Sequence, residues 1–328
     1  MDQDFANEVK KHNEKLAKVK NEVQKGITGQ KETVNSVLKC IICGGHVLLE
    51  SVPGLAKTLL VRLISETIDG ASFQRIQFTP DLLPTDITGT TVYEKKRGFY
   101  TVKGPIFANF VLGDEINRAP PKVQSSMLQA MQEKQVTIGK ETFDLPKPFV
   151  VLATQNPLEQ RGVYPLPFAQ IDRFLFKVYV TYPSDEEEFI ILNNNSVIKT
   201  IAEFELEKVL HTKELLAIQE CVKKIQVSEE VKQYIVDLVD ATRYPAKYEI
   251  KGGRYMDWGG SPRASINLAL SARANAMMSN RTFVVPEDVR SIAHNVLRHR
   301  VGLNYEGKAR NISTDEIIDD IIRNVPVI

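Results

Sequence analysis

The stretch His46-Val-Leu-Leu-Glu-Ser-Val-Pro-Gly-Leu-Ala-Lys-Thr-Leu-Leu60 places an apolar run, a Pro-Gly turn and a Lys-Thr pair in close succession. This order predicts a buried strand, a loop whose backbone amides face phosphates, and a helix that begins at the lysine. Lys57 would bring a positive charge to the outer phosphates of a nucleoside triphosphate, and Thr58 would offer a hydroxyl to Mg²⁺. We therefore expect a phosphate-binding loop at this point of the chain.

The stretch departs from the strict phosphate-loop pattern at two positions. Ser51 stands where the first glycine is expected, and Ala56 stands where the second is expected. A serine with a left-handed backbone would cost about 1 kcal/mol or more, whereas a serine with negative φ would cost little. For Ala56 we expect a helix start that needs no positive φ.

Composition and charge narrow the class of protein. The 328 residues are enough for two domains, and the hydrophobic content of 43% supports an ordinary core. A net charge of +1 gives no global field that favours nucleic acid or an anionic membrane. The chain has no long apolar run and begins Met-Asp-Gln-Asp without a hydrophobic signal segment. We expect a cytoplasmic protein without membrane insertion and without a nucleic-acid partner.

The cysteines and histidines bear on redox and metal chemistry. Cys40-Ile-Ile-Cys43 has the spacing of redox and zinc pairs, but the remaining cysteine, Cys221, is far away in sequence. Because the pair ends an apolar helical run, two small core residues are the favoured interpretation. The histidines show no metal-binding spacing, so we expect no metal site built from protein ligands alone.

The chain divides into three regions by pattern. Residues 1–25 predict one lysine-rich amphipathic helix, either a partner-binding arm or, as we favour, a helix packed on the body. In residues 26–183, short apolar strands alternate with helices, which indicates an α/β fold with a parallel sheet covered on both faces. In residues 184–328, helical periods recur and no convincing strand is evident, so we expect a smaller helical domain.

Polar side chains follow two of the predicted buried strands. Asp114 and Glu115 end one strand, and Thr154 and Asn156 end another. Because the carboxyl ends of parallel strands share one edge of a sheet, these residues should meet the phosphate loop. Asp114 would then help to hold Mg²⁺ with Thr58, and Glu115 would polarise a water for attack on the terminal phosphate. The alternatives are a solvated acidic turn and a simple Asn-Pro turn.

Three arginines lie in settings that suit phosphoryl transfer. Arg118 follows Asp-Glu-Ile-Asn, Arg173 precedes the last predicted strand of the sheet, and Arg263 begins a helix of the second domain. A fixed guanidinium near the developing charge assists this reaction and often comes from another subunit. A surface ion pair is the alternative for each, and spacing alone does not choose between them.

Taken together, the motifs resemble those of a MoxR-type ATPase of the AAA+ superfamily. The matching stretches include Val52-Pro-Gly-Leu-Ala-Lys-Thr58, Asp114-Glu-Ile-Asn-Arg-Ala119, Ala153-Thr-Gln-Asn-Pro157 and Ser261-Pro-Arg-Ala264. The resemblance spans nearly all of the chain after residue 26. It implies a P-loop NTPase αβα core at 26–183, a helical lid at 184–328 and, in most relatives, assembly as a hexameric ring.

The resemblance also implies roles for individual residues. The catalytic set would be Glu115 of Walker B, Asn156 as sensor 1, Arg173 as the arginine finger and Arg263 as sensor 2 of the lid. The residues implied to bind ATP are Ile27, Thr28, Val52, Pro53, Gly54, Leu55, Ala56, Lys57, Thr58, Leu59 and Asp114. Thr58 and Asp114 would hold Mg²⁺ through ATP. Relatives are chaperone-like ATPases that mature or activate protein complexes, often with partners that carry a von Willebrand factor A domain.

The chain also departs from the family pattern. Glycine is usual at Ser51 and acidic residues are expected at Arg161 and Phe168, whereas Ala56 is typical of the family. We expect an ATPase that remodels or activates protein complexes. The alternative, motivated by Ser51, is a nucleotide-gated assembly scaffold with little turnover. A nucleic-acid motor is disfavoured by the near-neutral charge and the lack of a basic stretch interleaved with aromatic residues.

Overall fold

The computed structural model describes residues 2–96, 98–157, 162–194 and 200–327. The helices are α1 Asp2–Gln24, α2 Lys31–Ile42, α3 Lys57–Glu66, α4 Pro84–Thr88, α5 Pro121–Glu133, α6 Phe168–Ile171, α7 Asp185–Asn194, α8 Thr212–Lys224, α9 Glu229–Arg243, α10 Pro262–Met278, α11 Pro286–Leu297, α12 Tyr305–Ala309 and α13 Thr314–Asn324. The strands are β1 Val47–Glu50, β2 Ile68–Asp69, β3 Phe73–Gln77, β4 Gly89–Glu94, β5 Gly98–Lys103, β6 Phe110–Asp114, β7 Gln135–Ile138, β8 Glu141–Asp144, β9 Val150–Gln155, β10 Phe176–Tyr179, β11 Leu210–His211, β12 Met256–Trp258 and β13 Gly302–Leu303.

The described residues pack into two compact units. The first, here called the sheet unit, contains residues 15–174 and 178–217. The second, here called the helical unit, contains residues 1–14, 175–177 and 218–328. The domain boundary predicted near residue 183 stays a prediction.

A five-stranded sheet, in the order β10-β1-β9-β6-β3, organises the sheet unit. β1 pairs with β9, β9 with β6, and β6 with β3, all in parallel. In this register Leu49 lies opposite Thr154, and Gln77 lies opposite Asp114. The carboxyl ends of the central strands therefore meet at one edge, and the predicted α/β class with a parallel sheet is confirmed.

The sheet is covered on both faces, which explains its nearly continuous apolar strands. On one face Leu48, Val111 and Val151 share a buried cluster with Met127 and Met131 of α5. Successive side chains of a strand point to opposite faces, so the residues between them lie on the other side. There α3, whose residues lie outside that cluster, contacts β3 and β6.

The N-terminal helix α1 is amphipathic. It buries Val9, Leu16, Val19 and Val23, which repeat at the spacing of one helix face. Its remaining positions are rich in lysine and glutamate. Neither α1 nor any other helix among the described residues combines the length and the apolar character that crossing a membrane requires.

The helical unit is built around α9, α10, α11 and α13, which contact one another. Each contributes fully buried apolar side chains, among them Leu238, Leu268, Ile292 and Ile318. Serine side chains cap three of these helices: the hydroxyl oxygens of Ser228, Ser261 and Ser313 each accept a hydrogen bond from a backbone N in the first turn of α9, α10 and α13, respectively. Such caps satisfy amide groups that have no partner within the helix.

Short strands occur after residue 184, contrary to the expectation from sequence. β11 pairs in parallel with β2 in the sheet unit, and β12 pairs antiparallel with β13 in the helical unit. These strands span two or three residues, too few for an alternating pattern to be recognised. In the second pair the Trp258 indole lies against Gly302, where an added Cβ would come within 2.0 Å of the ring. Only glycine allows this close approach.

The cysteines are buried and free. Cys40 lies in α2 and Cys43 directly follows that helix. Burial raises the pKa of the Cys40 thiol well above its ordinary value. The interpretation of the pair as small core residues is confirmed.

Candidate functional site

The loop between β1 and α3 leaves the carboxyl edge of a central strand. Ser51 N donates to Gln155 O at 3.3 Å, which extends the pairing with β9 by one residue. Pro53 and Gly54 are exposed, and Gly54 has φ 88°. An added Cβ on Gly54 would meet nothing within 4 Å, so glycine is needed for its backbone angle rather than for space.

The two departures from the strict loop pattern, Ala56 and Ser51, have different backbone angles. Ala56 has φ 51° and ψ 24°, so the prediction that it needs no positive φ is wrong. The reason is that Ala56 is the turn residue before the helix, and its carbonyl accepts the first helical bond from Leu60 N at 2.9 Å. A left-handed alanine costs about 1 kcal/mol. Ser51 is not among the left-handed residues of the described chain, so it carries no such strain.

Lys57 is held at the start of the loop. Its Nζ donates to Ser51 Oγ at 2.6 Å and to Val52 O at 3.0 Å. Ser51 Oγ in turn donates to Val52 O at 3.1 Å. Partial burial lowers the pKa of Lys57, while the nearby carboxylates of Asp114 and Glu115 act in the opposite direction. The loop pattern alone does not indicate that Ser51 would be a partner of Lys57.

Thr154 joins the two acidic residues at the end of β6. Its Oγ1 donates to Asp114 Oδ1 at 2.7 Å and accepts from Glu115 N at 2.8 Å. Glu115 has φ 58°, a left-handed angle that turns the chain away from the strand. Asp114 and Thr154 are both buried. The hydroxyl on β9 therefore fixes the orientation of both acidic residues.

Side chains from β3 and from the turn after β6 complete this carboxylate edge. Arg75 Nη2 donates to Asp114 Oδ2 at 2.6 Å, and Gln77 Nε2 donates to Glu115 Oε2 at 3.0 Å. Arg118 Nε lies 3.0 Å from the same Glu115 oxygen. Sequence analysis singled out Arg118 but missed Arg75 and Gln77. Their two-residue spacing places both side chains on one face of β3. This spacing indicates contact with the acidic pair only once β3 is known to lie beside β6.

The oxygen donors of the site suit a hard divalent cation. Thr58 in the first turn of α3 offers a hydroxyl, and Asp114 offers a carboxylate. Hydroxyl and carboxylate oxygens are ligands that Mg²⁺ favours. Asp114 Oδ1 accepts one bond, from Thr154, and keeps a further lone pair, whereas Oδ2 accepts bonds from both Nε and Nη2 of Arg75. The residues present therefore fit Mg²⁺.

A cavity of about 360 Å³ lies in the sheet unit beside the loop. Residues predicted to bind the nucleotide that line this cavity are Ile27, Thr28, the run 53–56 and Leu59. Gln30, the last residue of the stretch 27–30 that the family resemblance places at the adenine pocket, also lines it. The sequence patterns do not predict the other lining residues, which are Gly26, Tyr182, Pro183, Glu188 and Ile191. Gln30 Nε2 donates to Leu55 O at 3.5 Å and so ties the loop to the segment before α2.

The remaining predicted residues lie in three different places. Asn156 is buried one residue beyond β9, at the edge that carries the acidic pair. Arg173 Nη1 donates to Leu128 O of α5 at 2.8 Å. Arg263 belongs to the helical unit, where its backbone N donates to Ser261 Oγ at 3.2 Å. Of the two further departures, Phe168 begins α6, and Arg161 lies outside the described residues.

One group of metal-ligand types appears that sequence spacing did not reveal. Glu8 and His12 of α1 and Cys221 of α8 bring ligand atoms within 4.8 Å of one another. Burial, with a smaller contribution from Glu8, raises the pKa of the Cys221 thiol to about 11. Because a metal ligand must be the thiolate, a thiol of this pKa is a poor ligand near neutral pH.

Two family models match the chain. The model described as ATPase family associated with various cellular activities (AAA) matches residues 46–176. This range contains the loop and the carboxylate edge. The AAA lid domain matches residues 253–321, which contain Arg263.

Comparisons over nearly the whole chain agree with the two family models. The chain is 46% identical to chaperone MoxR1 of Mycobacterium tuberculosis, over 93% of this chain and 80% of that protein. It is 31% identical to protein MoxR of Paracoccus denitrificans, over 92% of this chain and 93% of that protein. A crystal structure of a candidate ATPase from Cytophaga hutchinsonii matches with TM-score 0.92 and 46% identity, covering 100% of this chain and 99% of that one. The chain therefore belongs to the MoxR family of AAA ATPases.

Proposed function

We propose that this chain binds ATP with Mg²⁺ and hydrolyses it to ADP and phosphate. The observation that carries the proposal is the meeting of Lys57 with Asp114 and Glu115. They come from α3 and from the end of β6, and both carboxylates act on the pKa of the lysine. A cation suited to phosphate thus shares one edge of the sheet with a carboxylate suited to Mg²⁺ and with Glu115, which accepts from Gln77 and pairs with Arg118 and would serve in proton transfer.

The cavity of about 360 Å³ beside the loop would take the adenosine portion of ATP. The loop amides and the amino end of α3 would face the phosphates. Lys57 would exchange its two present acceptors, Ser51 Oγ and Val52 O, for phosphate oxygens. A charged acceptor makes the stronger hydrogen bond, so this exchange favours binding.

Hydrolysis would proceed by attack of a water on the terminal phosphorus as the bond to the bridging oxygen breaks. Glu115 would accept the proton of that water, and Asn156 would orient it. Mg²⁺ held by Thr58 and Asp114 would neutralise negative charge on the phosphate oxygens. Thr154 would keep the Asp114 carboxylate and the backbone of Glu115 in place through its two hydrogen bonds.

We further propose the roles and assembly that the family resemblance implies. Arg173 would act on the ATP of a neighbouring subunit in a hexameric ring, and Arg263 would act from a lid at 184–328 on the core at 26–183. The ring would work in the cytoplasm as a chaperone-like activator of protein complexes, with a partner that carries a von Willebrand factor A domain. One relative is named chaperone MoxR1, which supports a chaperone-like role.

The structure does not support the alternative of a scaffold with slow ATP turnover. That alternative requires strain at Ser51, and Ser51 is not among the left-handed residues of the described chain. The strained position is Ala56, where alanine is typical of the family.

Two substitutions test the proposed function. Glu115→Gln should lower phosphate release from Mg²⁺-ATP by about 100-fold or more, because the proton acceptor is lost. ATP affinity, measured with a fluorescent analogue, should stay within about threefold because the loop is intact. Lys57→Ala should weaken that affinity by about 10- to 100-fold, the effect of one bond to a charged group.

The matched control for Glu115→Gln is Glu141→Gln. Glu141 is an exposed glutamate on the β7–β8 hairpin, and its replacement should leave binding and turnover unchanged. Phosphate release by Glu115→Gln at the wild-type rate would contradict the mechanism. Failure of the wild-type protein to bind Mg²⁺-ATP would contradict the whole proposal.

A further inference from the structure

A second cavity, of about 520 Å³, lies within the helical unit. It is bounded by the end of α8, the start of α9, Arg273 of α10 and residues 283–284. Backbone bonds hold these walls together: Gln226 N donates to Thr282 O, and Val284 N donates to Gln226 O, both at 2.9 Å. The cavity is therefore a built feature of this unit.

Cationic side chains surround this cavity, which we call the basic cavity. They are Lys223, Lys224, Lys232 and Arg273, and no acidic residue is among those that line it. Lys223 pairs with Glu220, and Lys232 pairs with Glu229, each at 2.6 Å within one helix. Exposed pairs of this kind contribute only about 0–1 kcal/mol, so both lysines can turn to another anion at little cost.

The other two cations, Lys224 and Arg273, form no ion pair with residues that the structure describes. Arg273 Nε is buried and has no hydrogen-bond partner among the described residues. A buried donor without a partner costs about 1–3 kcal/mol, and more when it is charged. Lys224 is exposed and forms no ion pair with the described residues. The basic cavity thus offers an anionic ligand the exposed ammonium of Lys224 and the half-buried guanidinium of Arg273 in its wall.

Apolar side chains form the rest of the wall. Ile225 and Val284 are buried, whereas Phe283 is 53% exposed at the opening. A large exposed aromatic beside uncompensated cations favours a ligand that is both anionic and apolar. Free phosphate would leave the apolar wall uncovered. A single-stranded nucleic acid would need several stacking aromatics, and Phe283 is the one aromatic residue among those that line the cavity.

We infer that the basic cavity binds an acidic segment of a partner polypeptide whose carboxylates flank a large apolar side chain. The carboxylates would meet Lys224 and Arg273, and the apolar side chain would cover Phe283 and Val284. The inference goes beyond the proposed function, because it uses no residue of the ATP site and does not require ATP.

The experiment uses the full-length protein and a fluorescein-labelled peptide of sequence Glu-Glu-Leu-Glu-Glu-Phe, followed by fluorescence anisotropy. A peptide with glutamine in place of each glutamate is the ligand control. The acidic peptide should bind, and raising the salt concentration should weaken its binding. Lys224→Glu and Arg273→Gln should each weaken binding by about 10-fold, the effect of losing one charged contact.

Lys251→Glu is the matched protein control. Lys251 is an exposed lysine of the same unit outside the cavity, so its replacement should leave peptide affinity within about twofold. Phosphate release should be unchanged in Lys224→Glu. That surface variant also keeps the test valid should Arg273→Gln fail to fold.

Three outcomes would overturn the inference. The first is no binding of the acidic peptide, or equal binding of the glutamine peptide. The second is unchanged peptide affinity in Lys224→Glu. The third is a single-stranded oligonucleotide that binds more tightly than the peptide and loses affinity in Lys224→Glu, which would make the basic cavity a nucleic-acid site.

Discussion

The amino and carboxyl ends of the parallel sheet both bury polar side chains, but they bind them differently. At the amino end, His46 Nδ1 accepts from Val151 N at 2.9 Å, and Nε2 lies 3.1 Å from Met131 O, to which it donates as the neutral imidazole. Asn109 Nδ2 donates to Pro148 O at 2.9 Å. These neutral groups are bound mainly by the backbone, and the partners are fixed by the fold.

At the carboxyl end the groups themselves are charged, and their partners are mostly side chains. Lys57, Asp114 and Glu115 are bound by Ser51, Arg75, Gln77, Arg118 and Thr154, which come from separate elements. A side chain can give up one partner for another by rotating, whereas a backbone group of a strand cannot. The comparison indicates that the buried polar side chains at the amino end stabilise the strands. Those at the carboxyl end can exchange their partners for a ligand.

The largest expected effect tests the amino end through pH. Burial lowers the pKa of His46 to about 4, against an ordinary value near 6.5. Between these values the unfolded chain binds a proton at this site and the folded chain does not, so lowering the pH favours unfolding. The contribution of His46 to stability is complete above pH 6.5 and declines by about 3 kcal/mol as the pH falls to 4.

Urea unfolding of the wild type and of His46→Asn across this pH range measures that contribution. The variant should be less stable at pH 7 and should lose about 3 kcal/mol less on acidification. His211→Asn, which replaces an exposed histidine, is the matched control for the substitution itself. If the free energy of unfolding depended on pH in the same way for the wild type and for His46→Asn, His46 would not be held neutral in the folded state.

An intermediate effect tests the carboxyl end. Thr154→Val removes the hydroxyl that joins Asp114 Oδ1 and Glu115 N, leaving both without that partner. We expect a loss of about 2 kcal/mol in the free energy of unfolding, and a lower rate of phosphate release, because the acidic pair is no longer oriented. The control Thr142→Val changes an exposed threonine of the β7–β8 hairpin and should alter stability by less than about 0.5 kcal/mol. Equal effects of the two substitutions would mean that Thr154 has no special role.

The smallest effects compare two glycine substitutions within the loop. Ala56→Gly should raise the free energy of unfolding by about 1 kcal/mol, because it relieves a left-handed alanine. Ser51→Gly should lower that free energy by about 1 kcal/mol, because it removes the acceptor of Lys57 and loosens an unstrained backbone. Chemical denaturation measures both. Changes of the same sign would contradict the backbone angles found for these two residues.

Local patterns predicted the strand, loop and helix around Lys57 and the acidic pair at the end of β6, because each lies within one continuous stretch. The partners Arg75 and Gln77 were missed because their meaning depends on which strand lies beside β6. The prediction for Ala56 is wrong because this residue is the turn residue just before α3. A turn residue of this kind has positive φ, whereas the first helical residue, Lys57, has negative φ. Tyr182 and Glu188 line the cavity beside the loop, which the sequence does not predict because their nearness to that loop depends on the fold.

The contact of Trp258 with Gly302 gives the chain an internal optical reporter. Trp258 is the single tryptophan, is 41% exposed and belongs to the helical unit. Its emission during heating or urea titration therefore follows the packing of that unit, while far-ultraviolet circular dichroism follows both units together. Coincidence of the two signals would indicate one cooperative transition, and an earlier or later tryptophan signal would indicate that the two units unfold separately.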